Sequence, residues 1–537
     1  MYFSQTNRFL IFIAICFLIF LSGVFKLPVL DRDEARFATA SKTMLIEKNY
    51  VDIKMHDELR YKKPVGIYWI QVLSNKIFGS DPFDNIAIYR LPSIIGVFLS
   101  FILVFNYLRK IYCRETAFLS VFFIVFSLIA FSETHQAKTD GILFLTIALC
   151  NLITIKFLEH KKITSFHKII YWISLAAGIL VKGPIILIFT ILPMLIYSFI
   201  KKNNLLKSLF SPFAFLIFLL ISVPWFILIT IESNGLFWNE SVGHDLLKKV
   251  ASGQESHGFP PGYYLLTTFI LFWPGSVLIY PAIKSLLKNF KRKSKVSDSF
   301  LFLILGFFVP YFIYEIIPTK LPHYIFPAYL PLSIIISKYL IEYGIDKSIG
   351  KRYLPLILLY PLLVIVLIFF AIFEYSVIDT NLFLILLFLS SIFIISGKKI
   401  IKSFREFLII AALFQFSFYL TLIFFVKERV DSLWIADNVN SIIDKNFSKY
   451  DLIYNYGFNE PSLVFLTSHK SKKINPQDLS AGNVKNKNIL FIVTDELSDS
   501  FNDNKLKKFK LIDEFSGFNY SKGKKVKFNI FDNIENE

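Results

Sequence analysis

The chain carries ionisable side chains at the edges of long apolar runs. Asp31, Asp33 and Arg36 open a polar segment just after the first run, and Lys62-Lys63-Pro64 follows in the same segment. Glu133, His135, Lys138 and Asp140 crowd one short break, Lys182 marks another, and Lys320 and His323 a third. His244, Asp245, Lys248 and His257 occupy a second long break. Charges beside hydrocarbon are costly and tend to mark substrate sites. Arginine can hold a phosphate through two parallel bonds while lysine acts as a point charge, and a carboxylate can take a proton from an attacking hydroxyl. No HExxH spacing is present, and Cys16, Cys113 and Cys150 form neither a metal nor a disulfide pattern, so they read as small packing residues.

The elements that must position these groups are membrane spans. Of 537 residues, 55% are hydrophobic, 61 are Phe, and the mean hydropathy is +0.56. Apolar runs of about 17–25 residues recur, long enough to cross a bilayer as helices. The first, from about Phe9 to Leu27, lacks a small-residue cleavage site and reads as a retained span. About thirteen spans are expected by the length criterion, centred near Ile15, Ile95, Ile124, Ile147, Ala176, Leu192, Leu219, Phe269, Leu305, Leu332, Val364, Leu387 and Ala412. The net charge of +18 lies largely in alternate short loops, such as Arg109-Lys110, Lys161-Lys162 and Lys398-Lys399. That pattern marks those loops as cytoplasmic and argues against nucleic-acid binding. The amino terminus then lies inside, and every unusual charge above falls on the outer face.

Two outer loops are long, 31–85 and 232–262. In the first, Phe37, Ala40, Met44 and Leu45 fall at helical spacing, which predicts an amphipathic helix along the membrane surface with Asp33 and Arg36 on one face. Pro64 suits a first helical turn, so Lys63 is expected at the start of a second such helix, with Val65, Tyr68, Trp69 and Val72 on one side. The second loop reads as a flexible polar loop or a lid over the site. Glu133 or Asp140 can pair with Lys138 as a structural ion pair, and Trp172, Trp225 and Trp273 read as interfacial belt residues. The division expected is a transmembrane domain over 1–427 and a small α/β domain over 428–537. In the latter, strands are predicted at Leu452–Tyr456, Ile489–Val493 and Val526–Phe531, and a helix at Glu460–Ser468.

Asp33-Glu34-Ala35-Arg36-Phe37, then Leu59-Arg60-Tyr61-Lys62-Lys63-Pro64 and Gly66-Ile67-Tyr68-Trp69, resemble the first periplasmic loop of the bacterial aminoarabinose transferases, GT-C enzymes grouped with the protein O-mannosyltransferases. Lys138-Thr139-Asp140, Val181-Lys182-Gly183-Pro184, Gln254-Glu255-Ser256-His257 and Lys320-Leu321-Pro322-His323-Tyr324 match further family segments in the same order. The resemblance implies a mostly α polytopic fold of the GT-C type with a carboxy-terminal α/β domain outside the cytoplasm. It implies transfer of a sugar from undecaprenyl phosphate to a lipid A or lipopolysaccharide acceptor at a bacterial inner membrane. Asp33 matches the acidic residue near the reacting centre and Arg36 its partner. Lys63 matches the lysine on the donor phosphate, and Tyr324 a tyrosine near it; by its charge alone, Lys320 is a further candidate to bind that phosphate. Lys62, Lys138, Asp140, Lys182, His257 and His323 are candidates for substrate contact.

Two positions depart from the family. Lys62 stands where the family has a Glu associated with metal, so no cofactor is expected and a divalent metal is disfavoured. Gly258 follows His257 where the family often has Arg, which implies a change in sugar, acceptor or phosphate geometry. Asp33 is a general base if the acceptor is a hydroxyl and only orients groups if it is a phosphate. A protein acceptor, a lipid or sugar transporter and a scaffold are the competing readings. Transport is disfavoured by the absence of repeated halves and by charges clustered at one face. A monomer is expected.

Overall fold

The computed structural model describes residues 5–56, 58–251, 258–291, 296–375, 384, 388, 390–391, 395–426, 430–446, 448–467, 472–473, 488–495 and 510–532. The chain is a mostly α, multi-pass membrane protein with a carboxy-terminal sheet domain. Its first eight helices are α1 Gln5–Lys26, α2 Asp33–Glu47, α3 Gly66–Phe78, α4 Ile86–Ile111, α5 Arg114–Val125, α6 Leu128–Thr134, α7 Asp140–His160 and α8 Ser165–Lys182. Among the described residues, seven helices are long and apolar enough to cross a membrane, and nine if two bent pairs each count as one span. One such pair is α5 with α6, bent by 67°. Twelve of the thirteen expected centres fall on described helices, and Leu387 lies outside the described residues. The full count of thirteen is therefore not established.

Close helix approach is written in glycine. A Cβ on Gly141 of α7 would lie 2.6 Å from the Ser93 carbonyl of α4, and one on Gly96 would lie 2.8 Å from the Gly141 carbonyl. Small residues let backbones meet where lipid offers no hydrophobic drive. Gly66 does the same for the site: its Cβ would lie 2.7 Å from the Leu180 backbone, so the start of α3 is pressed onto the end of α8. Lys63 and Lys182 are thereby brought to the same place.

The first-loop helix departs from expectation. Rather than lying open at the surface, α2 buries Glu34, Thr39, Ser41, Lys42 and Thr43 together with its apolar residues. It is packed between α3 and the helix Pro461–Thr467, and Lys42 Nζ donates to the Phe465 carbonyl at 3.0 Å. The periodicity was real, but both faces of α2 have protein partners. The expected belt tryptophans are also inside: Trp172, Trp225 and Trp273 are buried, and the first two donate Nε1–H to the Leu209 and Val51 carbonyls. An indole is large enough to fill a helix junction when a carbonyl is within reach.

The carboxy-terminal sheet has strands β3 Leu452–Tyr456, β4 Lys472–Lys473, β5 Ile489–Thr494, β6 Lys510–Asn519 and β7 Lys524–Asp532, after a short hairpin of β1 Lys54–Met55 and β2 Glu58–Leu59 in the first loop. The order is β4-β3-β5-β7-β6, with β3 parallel to β4 and β5, and β7 antiparallel to its neighbours. The central strand β5 is buried along its length, as its unbroken Ile-Leu-Phe-Ile-Val run requires. Its core is continuous with the rest of the chain: Ala35, Ala38 and Tyr89 cluster with Ile435, Val439, Phe465 and Ile492.

Candidate active site

Asp33 is the first residue of α2, and its position is set by its neighbour. Glu34 is buried and takes two bonds from Arg90 of α4, from Nε and Nη2, both at 2.8 Å. Arg90 also donates to the carbonyls of Val24, Leu27 and Pro28 at 2.6–3.0 Å. One guanidinium thus ties the end of α1 to the start of α2, with all five N–H groups matched. Just before Asp33, Arg32 has φ 65°, a left-handed conformation. It is held from the sheet domain, where Tyr520 Oη accepts the Asp31 N–H at 2.8 Å and the Ser521 carbonyl accepts from Arg32.

Asp33 lines a cavity of about 1120 Å³. Arg36, Lys62, Lys63, Lys138, Asp140, Lys182, His323 and Tyr324, all named from the sequence, line it as well. His257 lies outside the described residues. Lys320 does not line the cavity: its Nζ donates to the Phe259 and Ile317 carbonyls at 3.0 and 2.6 Å. Its ammonium ties the second long loop to the 317–319 segment, and Gly258 and Thr319 form a bridge there.

Ion pairs set the local charges. Lys182 meets Asp140 at 2.6 Å and Lys138 meets Glu133 at 3.0 Å. Lys63 pairs with Asp245, which also takes Lys249 at 2.6 Å. Asp245 and Lys249 belong to the second loop, which is helical over Asn239–Ala251 rather than a flexible coil. Their spacing of four was the available signal. Arg60 is a further lining residue, with its guanidinium over the Phe37 ring at 5.3 Å. Among the described residues, no hydrogen bond or ion pair ends on the Asp33 carboxylate. Burial would raise its pKa, but the charges of His323, Lys138, Arg60 and Arg36 outweigh burial and hold it below the usual carboxylate range. Burial, partly offset by Asp245, lowers Lys63 from the ordinary lysine value. The lysines Lys63 and Lys249 overcome burial at Asp245 and lower it.

Seven Lys and Arg side chains line the cavity against three Asp, an excess of four positive charges. Ile185, Ile188, Leu246, Val250 and Ile317 give the wall an aliphatic stretch. Such a space suits an anion carried on a hydrocarbon chain. A second cavity, of about 1380 Å³, adjoins the first at Asp33, Lys138, Leu321 and His323, which line both. Leu27, Leu128, Phe131 and Leu422 make it largely apolar. Among the described residues there is no group of three or more His, Cys, Asp or Glu able to hold a metal. The lysines at positions 62 and 63 make a poor ligand set for one.

A family model described as dolichyl-phosphate-mannose-protein mannosyltransferase matches residues 62–228. The undecaprenyl phosphate-alpha-4-amino-4-deoxy-L-arabinose arabinosyl transferase 2 of Proteus mirabilis is 27% identical over 319 residues, covering 58% of this chain and 55% of that protein. The Erwinia tasmaniensis undecaprenyl phosphate-alpha-4-amino-4-deoxy-L-arabinose arabinosyl transferase is 28% identical over 341 residues, covering 60% and 58%. The chain thus spans a little over half the length of these relatives. The crystal structure of ArnT from Cupriavidus metallidurans bound to undecaprenyl phosphate superposes with a TM-score of 0.76 at 14% identity, covering 99% of each chain. The similarity to the aminoarabinose transferases thus extends in sequence over 58–60% of the chain, and in fold to the ArnT structure over 99% of it.

Proposed function

We propose that this chain is an integral membrane glycosyltransferase that moves a sugar from a polyprenyl (undecaprenyl) phosphate donor to a lipid A or lipopolysaccharide-type acceptor. It works as a monomer in a bacterial inner membrane, with its amino terminus cytoplasmic and its sheet domain periplasmic. The carrying observation is the cation-rich cavity beside Asp33, with an aliphatic stretch in its wall. The functions named for its relatives agree with it.

In this reading the donor phosphate lies near Lys63, Arg36 and Arg60, with Tyr324 beside it and its chain along Ile185 and Ile188. The acceptor approaches through the second cavity, so attack comes from the face opposite the leaving phosphate and inverts the anomeric centre. The bond from the anomeric carbon to the phosphate oxygen breaks as the acceptor oxygen bonds to that carbon. Negative charge gathers on the polyprenyl phosphate, where the fixed cations stabilise it. A hydroxyl acceptor gives its proton to Asp33, which is kept ionised by its neighbours. With a phosphate acceptor, Asp33 orients groups only. Lys138 and Lys182, each tied to a carboxylate, and His323 hold the sugar between the two cavities. No step requires a metal.

The match to a protein mannosyltransferase model favours a second reading, with a peptide hydroxyl as acceptor. Reconstituted protein given radiolabelled polyprenyl-phosphate sugars with lipid A, core oligosaccharide or peptide decides between them. Labelled glycolipid, lost in Asp33→Asn and Lys63→Ala, is the expected result. Labelled peptide alone, or substrate movement without covalent product, overturns it.

A further inference from the structure

The sheet domain has a cavity of its own, of about 950 Å³. It opens at the carboxyl ends of the parallel strands β3 and β5, where Gly457, Phe458, Thr494 and Asp495 line it. Such strand ends form the crevice where open α/β sheets take ligands. Opposite them, the β6–β7 turn and the start of β7 supply Lys522, Lys524, Lys525 and Lys527. Among the described residues, four lysines thus face one lining carboxylate, and Asp495 already accepts from Asn529 Nδ2 at 3.1 Å. Lys527 reaches Glu514 at 2.8 Å and Lys522 reaches Glu460 at 3.4 Å, outside the cavity. These lysines are solvent-exposed, so the pairs are weak and yield to a stronger anion. A run of surface lysines alone would be a solvated face; the concavity and the strand ends distinguish this one.

The same turn has a second attachment. Tyr520 and Ser521 bond to Asp31 and Arg32, immediately ahead of Asp33. The lysine wall and the segment that sets Asp33 are therefore one connected piece.

We propose that this cavity binds a phosphate group on the acceptor's saccharide headgroup and so holds the acceptor over the membrane site. The proposal rests on the glycolipid-acceptor reading above and adds a second, soluble-domain contact to it. The test uses the full chain in nanodiscs, titrated calorimetrically with glucosamine 1-phosphate, with inorganic phosphate and neutral glucosamine as separate arms. Wild type is expected to bind the sugar phosphate more tightly than phosphate alone and not to bind glucosamine. Lys524→Ala/Lys525→Ala should weaken sugar-phosphate binding at least tenfold and raise the acceptor KM. Undecaprenyl phosphate binding should be unchanged, which also reports that the variant is folded. The charge reversal Lys524→Glu should weaken sugar-phosphate binding at least as much. Glycolipid transfer with an acceptor KM untouched by either variant overturns the cavity and leaves the transferase standing. Absence of any transfer to glycolipid overturns both.

Discussion

The Glu34–Arg90 pair is the sharpest place to test how Asp33 is positioned. Both side chains are fully buried, and their two bonds of 2.8 Å join α2 to α4. Removing one partner of a buried pair leaves an uncompensated charge, costing about 3–5 kcal/mol. That is a shift of roughly 10²–10³ or more in the unfolding equilibrium. Glu34→Gln and Arg90→Met should each show it in SDS titrations of purified protein in mixed micelles. The double variant Glu34→Leu/Arg90→Met buries no charge and should recover part of the loss. Recovery is partial because the carbonyls of Val24, Leu27 and Pro28 lose their donor. Since Glu34 adjoins Asp33, each single variant should also lower the transfer rate more than it weakens undecaprenyl phosphate binding. A single-variant loss below about 1 kcal/mol, as for an exposed bridge, would refute the reasoning.

The pH profile of transfer should be broad. In the proposed mechanism Asp33 acts ionised and its pKa is lowered, so the acid limb should fall only below the usual carboxylate range; Lys63 there acts charged and its pKa is also lowered, so activity should decline as pH rises through a value below that of an ordinary lysine. Lys63→Arg should push that alkaline limb beyond the measurable range. Gly66→Ala places a methyl 2.7 Å from the Leu180 backbone and should cost about 1–3 kcal/mol in the same SDS titration. Lys320→Ala should leave undecaprenyl phosphate affinity unchanged in direct binding while increasing proteolysis of the second loop, because its ammonium bonds carbonyls there. Tyr520→Phe removes one hydrogen bond to Asp31, worth about 1 kcal/mol, and should lower the turnover rate about fivefold at constant donor affinity.

Hydropathy made the spans legible because lipid leaves a backbone few choices. The strands Leu452–Tyr456 and Ile489–Thr494 and the helix Pro461–Thr467 were equally readable, from dense β-branched and apolar runs between turn residues. The strand Lys510–Asn519 was not, since its exposed face is mixed and charged. Clustering charges by membrane side found most of the cavity. It could not separate Lys63, which points inward, from Lys320, whose carbonyl partners come from two segments far apart in sequence. Arg90 escaped notice although an arginine among Ile88, Tyr89 and Leu91 is itself a signal. Its partner lies 56 residues away in the chain. Burial of α2 depended on a helix more than 400 positions later, beyond any local pattern.

Asp245 has one more consequence. In the resting protein the ammonium of Lys63 is already claimed by a carboxylate from the opposite loop. An arriving headgroup must therefore out-compete a resident anion, and the contest favours whichever species carries more negative charge. In the proposed transfer the donor phosphodiester has one such charge and the departing polyprenyl phosphate gains a second. On that reading the latch yields most fully as the glycosidic bond parts, so that the grip tightens on the leaving group rather than on the intact donor.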